Sequence, residues 1–404
     1  MQAVGIVVEY NPFHNGHLYQ LTQAKKETEA DIVIVVMSGT FLQRGEPALI
    51  SKWSRTEMAL ANGADLVIEL PYPFSAQKAE YFAHGAVQLL TELGVEFIHF
   101  GSEAGDILPF YELVDTIQKD FSTINSYVQE HMKLGLSYPR AFSNALTRLN
   151  RPTAISLTEP NNILGYHYVK AITDQGSPIK ATTTKRIQAH FHEQSISSNH
   201  IASATSIRKA INEGTPLADI AHTMPASTVN LLTKYKKENK LLHTWDLYYP
   251  FVQYKILSSS CEQLRDLYEC EEGLEYRLKE TIKFAPTYTD WIELLKTKRY
   301  TRTRLQRLVT HVLTNTTKEE MQTAHSEGLR HIQLLGFTTK GQQFLKQTRK
   351  QRNLPILTKR AKATGGIAEL EERAAVIYAQ PLLTHARYRA IKAEFNPPIQ
   401  LHSH

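Results

Sequence analysis

The first hundred residues alternate short apolar runs with amphipathic stretches, and few folds accept that rhythm. "AVGIVVEY" gives way to a helical pattern from about Gly16, "DIVIVVMSG" to "SKWSRTEMALANG", and "DLVIEL" to "SAQKAEYFAHGAVQLLTELG", with "VEFIHFGSE" closing the series. Strand-like runs bounded by turn or polar residues and followed by helical periodicity predict βαβ units on a parallel sheet buried on both faces. The reading is an α/β domain with a doubly wound parallel sheet over 1–215, interrupted by a helical insertion at about 108–150. It resumes through "NNILGYHYVKAI" and the strand-like "PIKATTTKRI" to a helix opened by "SATSIRKAINEG". From 216 to 404 long helical stretches such as "STVNLLTKYKKENK" predict a second, mainly helical and basic domain.

Composition narrows the class. With 404 residues and 42% hydrophobic content the chain can bury a large core. No apolar stretch approaches the roughly 20 residues of a membrane span, and the N-terminus lacks the regions of a signal peptide, so the expected location is cytoplasmic. Cys261 and Cys270 are nine apart, which suits neither a disulfide framework nor a C-x-x-C metal site, and no metal ligands are assigned. The net charge of +6 is unevenly placed. "KTKRYTRTRLQR" (296–307) is acid-free, and so is "KGQQFLKQTRKQRNLPILTKRAK" (340–362). Two such runs in one half favour a polyanion partner over a solvated helix face, with Lys298, Arg299, Arg302, Arg304 and Arg307 as the expected contacts to nucleic acid.

The stretch "VVEYNPFHNGHLYQL" places His14 and His17 where the first strand hands over to a helix. In an open α/β sheet, ligands gather outside the carboxyl ends of the strands, against helix N-termini that offer free N–H groups. Both Nε atoms can converge there on an anion held by backbone amides near Gly16, whose missing side chain permits close approach. The alternative is a pair of surface histidines in a polar turn. Zinc is disfavoured because no third His or Cys stands nearby.

"NPFHNGH" resembles the H-x-G-H signature of the nucleotidyltransferase superfamily, whose Rossmann-like members attack the α-phosphate of a nucleoside triphosphate. "SATSIRKA" is similar to that superfamily's S-S/T-x-x-R element, and "FGSE" to its G-x-D/E element. "VMSGTFLQRGEPALISKWSR", "DLVIELP", "PNNILGYHY", "HIASATSIRKA" and "LLKTKRYTRTRLQR" extend the likeness to the tRNA(Met) cytidine acetate ligase family. The likeness weakens after about residue 340.

What the resemblance implies is an ATP-dependent ligase that makes acetyl-adenylate from acetate and acetylates the wobble cytidine of elongator tRNA(Met) to N(4)-acetylcytidine. It assigns ATP contacts to Val7, Val8, Glu9, Tyr10, Asn11, Pro12, Phe13, His14, Asn15, Gly16, His17 and Leu18, with Gly101 near the nucleoside. His14 and His17 then stabilise the α-phosphate transition state. Ser203, Thr205, Ser206 and Arg208 hold the departing pyrophosphate, with Mg²⁺ as the expected companion of ATP. Taken alone, "SATSIRK" is a helix N-cap. Asn162 either contacts ATP, as the resemblance suggests, or orders a loop with Asn161. Arg186, beside Lys185 at a strand end, meets phosphate or ion-pairs. Gln43, Arg44 and Lys52 stand in a second loop at the same sheet edge, as acetate or tRNA contacts or plain surface. No obligate protein partner follows. The alternatives are a protein-directed acetate ligase resembling citrate lyase ligase, a coenzyme adenylyltransferase, and a non-catalytic RNA-binding protein.

Overall fold

The computed structural model describes residues 1–149, 155–186, 201–359 and 362–401. Its frame is a sheet built from β1 (Ala3–Val8), β2 (Ile32–Ser38), β3 (Leu66–Leu70), β4 (Phe97–Ser102), β5 (Lys180–Lys185), β6 (Ile332–Thr338), β7 (Ile356–Leu357) and β8 (Ile399–Leu401). The order is β5-β4-β1-β2-β3-β6-β7, with β8 also paired to β6. From β5 to β3 every pairing is parallel. The sequence explains why: β2 and β3 are buried along their whole length. Ile32, Ile34 and Val36 enter one core, and Val33, Val35 and Met37 enter the other, as the two-residue period of a strand demands.

The insertion is helical as expected, as Leu108–Lys119, Phe121–Lys133 and Tyr138–Arg148, and residue 150 lies outside the described residues. The second half is mainly helical, and it also returns strands to the sheet of the first half. β6 leaves that half and joins the edge of β3 antiparallel, Leu66 opposite Phe337, and β8 joins β6 in turn. An open β3 edge carries unpaired N–H and C=O groups, and the returning chain satisfies them. Among the described residues no helix is long and apolar enough to cross a membrane.

A buried ionic knot holds the halves together. Lys52 opens the helix Lys52–Ala61 and is 1% exposed; its Nζ lies 2.6 Å from Glu69, 2.6 Å from Glu394 and 3.7 Å from Glu371. Trp53 donates its indole N–H to Glu394 at 3.0 Å, and Tyr72 donates its amide to Glu371. Lys52 is thus a buried cation between both halves of the chain and not plain surface, one of the two readings its sequence left open.

Candidate active site

The chain leaves β1 through a forced turn. Tyr10 has φ 47°, a left-handed conformation that costs a non-glycine residue roughly 1 kcal/mol or more. Burial holds it there: Tyr10 is 1% exposed and packs edge-on against Phe13 at 4.6 Å and His17 at 4.9 Å. The turn delivers His14 to the N-cap of the helix Asn15–Thr28.

The two histidines cap that helix reciprocally. Gly16 donates its N–H to His14 Nδ1 at 3.0 Å, and His14 donates its own N–H to His17 Nδ1 at 3.3 Å. An Nδ1 that accepts a hydrogen bond carries no proton, so each neutral ring is the Nε2–H tautomer. The rings lie 3.7 Å apart, and neither Nε2 has a partner among the described residues. Burial, followed by the charges of Arg186 and Arg208, lowers the pKa of His14 to about 3. Burial, then His14 and Arg186, also holds His17 well below its ordinary value. The pair therefore meets a ligand as two neutral donors. An anion placed against them would favour the charged form instead.

This arrangement corrects the role expected of Gly16. Its amide is committed to His14, and a Cβ there would stand 2.8 Å from His14 Cε1 and 3.0 Å from Nδ1. Glycine here makes room for the capping imidazole.

The second motif is brought to the first. Ser203 caps the helix Ala204–Asn212 by accepting from the Ser206 amide at 3.1 Å, while the Ser206 hydroxyl donates to Ser203 O at 2.8 Å. Both hydroxyls thus serve the helix end, and Thr205 is exposed. Ile207 packs in the same core as Tyr10 and Phe13, which turns Arg208 toward the entry loop. Arg208 donates to Asn11 O at 2.9 Å and pairs with Glu46 at 3.0 Å. Asn11 Oδ1 accepts from Leu49 N at 2.7 Å, and Asn15 donates to His222 O at 2.9 Å. Pro12 is buried, Val7 and Leu18 are half-buried, and Val8 is buried at the end of β1.

A third group closes the sheet edge at β4 and β5. Asn162 is 3% exposed; its Oδ1 accepts from the amides of Glu103 and Ala104, each at 3.1 Å, and its Nδ2 donates to Ser156 O at 3.1 Å. Those bonds order the loop after β4, the alternative reading of this residue. Asn161 bridges Glu103 at 2.6 Å and Arg186 at 3.1 Å. Arg186 crosses Gly101, where a Cβ would lie 3.1 Å from its Cγ. The absent side chain at Gly101 leaves a path for the guanidinium.

Three important residues, Arg55, Glu46 and Gly45, escaped the sequence reading. Arg55 is fully buried and donates to the carbonyls of Glu9 at 2.7 Å, Ser38 at 3.0 Å, Ile50 at 3.3 Å and Gly39. It ties the exits of β1 and β2 together. Glu46 is the partner of Arg208, and Gly45 beside it has φ 73° with its Cα so close to the helix Arg302–Thr314 that a Cβ would lie 2.4 Å from Arg307 N. Glu9, whose Oε1 accepts from Gln43 N at 2.9 Å, has its pKa raised by burial. Arg44 is exposed and makes no ion pair among the described residues.

The sequence of residues 1–393 matches the HIGH Nucleotidyl Transferase family. The chain is 47% identical to the tRNA(Met) cytidine acetate ligase of Halalkalibacterium halodurans over 99% of this chain and 98% of that one. It is 46% identical to the Bacillus subtilis protein of the same name, over 95% and 93% of the two chains. It belongs to the tRNA(Met) cytidine acetate ligase family. The crystal structure of Thermotoga maritima TmcAL bound with alpha-thio ATP is similar over 100% of both chains, with a TM-score of 0.91 at 31% identity.

Members of a family that modifies tRNA need a surface for RNA, and here the arginines of the first basic run are paired with acids. Arg299 pairs with Glu272 at 2.8 Å, Arg302 with Glu293 at 2.7 Å, and Arg304 with Glu271 at 3.0 Å. Arg307 is buried against Glu269 at 3.1 Å. The acids come from a segment that precedes the run in sequence and folds back onto it. Lys298 is exposed. Among the described residues no group of three or more His, Cys, Asp or Glu side chains could hold a metal ion. The described chain thus offers no cage of its own for Mg²⁺.

Proposed function

We propose that this chain activates acetate with ATP as acetyl-adenylate and then acetylates the wobble cytidine of elongator tRNA(Met), giving N(4)-acetylcytidine, AMP and pyrophosphate. The observation that carries this reading is the fixed tautomer of His14 and His17. Two neutral Nε2–H groups at a helix N-terminus are suited to an α-phosphate on which charge develops during in-line attack. Acetate supplies the attacking oxygen, and the bond to pyrophosphate breaks. Arg208 is positioned to follow the leaving group once it releases Glu46, with Arg186 as the second cation. Ser203, Thr205 and Ser206 then meet the departing phosphates at the start of their helix.

In the second step the cytosine amine attacks the acyl carbon, its proton is lost, and AMP leaves with the electron pair. That amine is delocalised into the ring, so placement must compensate for weak nucleophilicity. No protein nucleophile is required. The test incubates an elongator tRNA(Met) transcript with the protein, ATP and acetate, followed by nucleoside mass spectrometry. N(4)-acetylcytidine formed with acetate and ATP is the expected result. Absence of both that product and acetate-dependent ATP–pyrophosphate exchange would refute the reading.

A further inference from the structure

We infer that the tRNA backbone docks on the second basic run, along the helix Thr339–Gln347 and the turn Arg349–Gln351, and not on residues 296–307. The inference rests on the tRNA reading above and deepens it. The two runs look alike in sequence and differ in what surrounds them. Every arginine named in the first is matched to a glutamate. In the second, Lys346, Arg349, Lys350, Lys359 and Lys362 are exposed, and none makes an ion pair among the described residues. Arg360 and Ala361 lie outside the described residues.

The acids that approach this segment are spent on its backbone amides and on neutral polar side chains, not on its cations. Glu92 accepts from the amides of Asn353 at 3.0 Å and Leu354 at 3.2 Å, and Asp65 accepts from the Thr338 hydroxyl at 3.0 Å. Those bonds fix the segment to the helix Ala79–Glu92 and to the residue before β3, and they leave Lys346, Arg349 and Lys350 to solvent. Phe344, 1% exposed, anchors the helix from beneath. A rigid element with unpaired cations on its outer side is what a phosphate backbone can exploit, because each neutralised phosphate releases counterions. A surface already neutralised by carboxylates gains much less.

The helix starts at the amino end of the parallel strands: Lys340 donates to Asp31 O at 2.5 Å, just before β2 begins. His14 and His17 lie past the carboxyl end of β1. A strand of six residues spans about 20 Å, a short distance for a tRNA, so one molecule can present its base at one edge while its backbone grips the other.

The test measures binding of elongator tRNA(Met) at several salt concentrations for the full-length protein, for Lys346→Ala/Arg349→Ala/Lys350→Ala, and for Arg299→Ala/Arg302→Ala, with melting curves as a check on folding. The first variant is expected to melt normally, to bind about tenfold or more weaker, and to lose about 2–3 from the slope of log K against log salt. The second is expected to keep the wild-type slope. A wild-type slope in the first variant overturns the surface while leaving the tRNA reading intact, as does a loss confined to anionic phospholipid vesicles. Failure of the wild-type protein to bind tRNA overturns both. Should the triple variant unfold, the charge-reversing single change Lys350→Glu reads the same slope.

Discussion

Arg208 and Glu46 face each other at 3.0 Å across the space between the two signature motifs. A guanidinium bound to a carboxylate is not free for pyrophosphate, so under the proposed function Glu46 would compete with ATP for it. Glu46→Gln should lower the KM for ATP by up to about fivefold, the equivalent of a partly exposed ion pair worth up to ~1 kcal/mol. Arg208→Ala should raise that KM and also slow exchange, because the cation acts on ground and transition states alike. A higher KM in Glu46→Gln would mean that the carboxylate positions Arg208 instead of restraining it.

The reciprocal cap gives His14 and His17 separable duties. Replacing either with Ala should reduce acetate-dependent exchange by about 10²-fold or more, on the scale of one lost transition-state donor. His14→Ala should also melt earlier, since a lost N-cap costs on the order of 1 kcal/mol. Binding of tRNA should be unchanged in both. Near-normal exchange in both variants would remove these side chains from the chemistry.

Buried neutral histidines set the acid limit of stability. Burial lowers His243 to about 3 and His311 to about 3, against 6.5 when unfolded. Between those values the unfolded chain binds more protons than the folded one, so stability is full above about pH 6.5 and falls as pH drops towards 3. The melting temperature should decline steadily from pH 6.5 to 4. His243 is held between the hydroxyls of Tyr248 at 2.6 Å and Tyr235 at 2.8 Å. His243→Gln should start less stable at pH 7.5 and show a shallower decline; an unchanged slope would assign the acid response to other groups.

Lys52→Met should destabilise the fold by about 3–5 kcal/mol, because it leaves Glu69, Glu371 and Glu394 buried without their shared cation. The KM for acetate should not change in the protein that remains folded. A selective rise in that KM with a normal melting curve would restore Lys52 to the acetate site.

The first four parallel strands, β1 to β4, were legible because each is short, largely apolar and bounded by turn or polar residues, a pattern set by burial, whereas β5, with the polar sequence KATTTK and only partial burial, was read from its place after a helix. β6 was not, although "IQLLGFT" reads as a strand, because its partner across the sheet lies hundreds of residues away and leaves no local mark. The H-x-x-H pair was found from its position, but its tautomer depends on two hydrogen bonds that only coordinates reveal. Arg55 illustrates the general gap: burial of a guanidinium among carbonyls follows from strand exits converging in space. For the first basic run the sequence left two readings, tRNA contacts or ion pairs with the acid-bearing stretch "LYECEEGLEY", and Arg299, Arg304 and Arg307 do pair with acids of that stretch. The acid partners of the run's arginines lie from 9 to 38 residues upstream, and which of them each arginine meets is set by the fold and not by local charge density.

The return of β6 to β3 also bears on how the chain is made. Thr338 bonds Asp65 across 273 residues. At about 5–20 residues per second of synthesis, that interval is roughly 14–55 s during which β3 has emerged with no neighbour on one side. For that time the edge of the parallel sheet is open to other nascent chains, and Lys52 waits for Glu371 and Glu394. A ribosome that stalls within the helical half would release a sheet ready to aggregate, so the protein's yield in a cell should depend on uninterrupted elongation through residue 394.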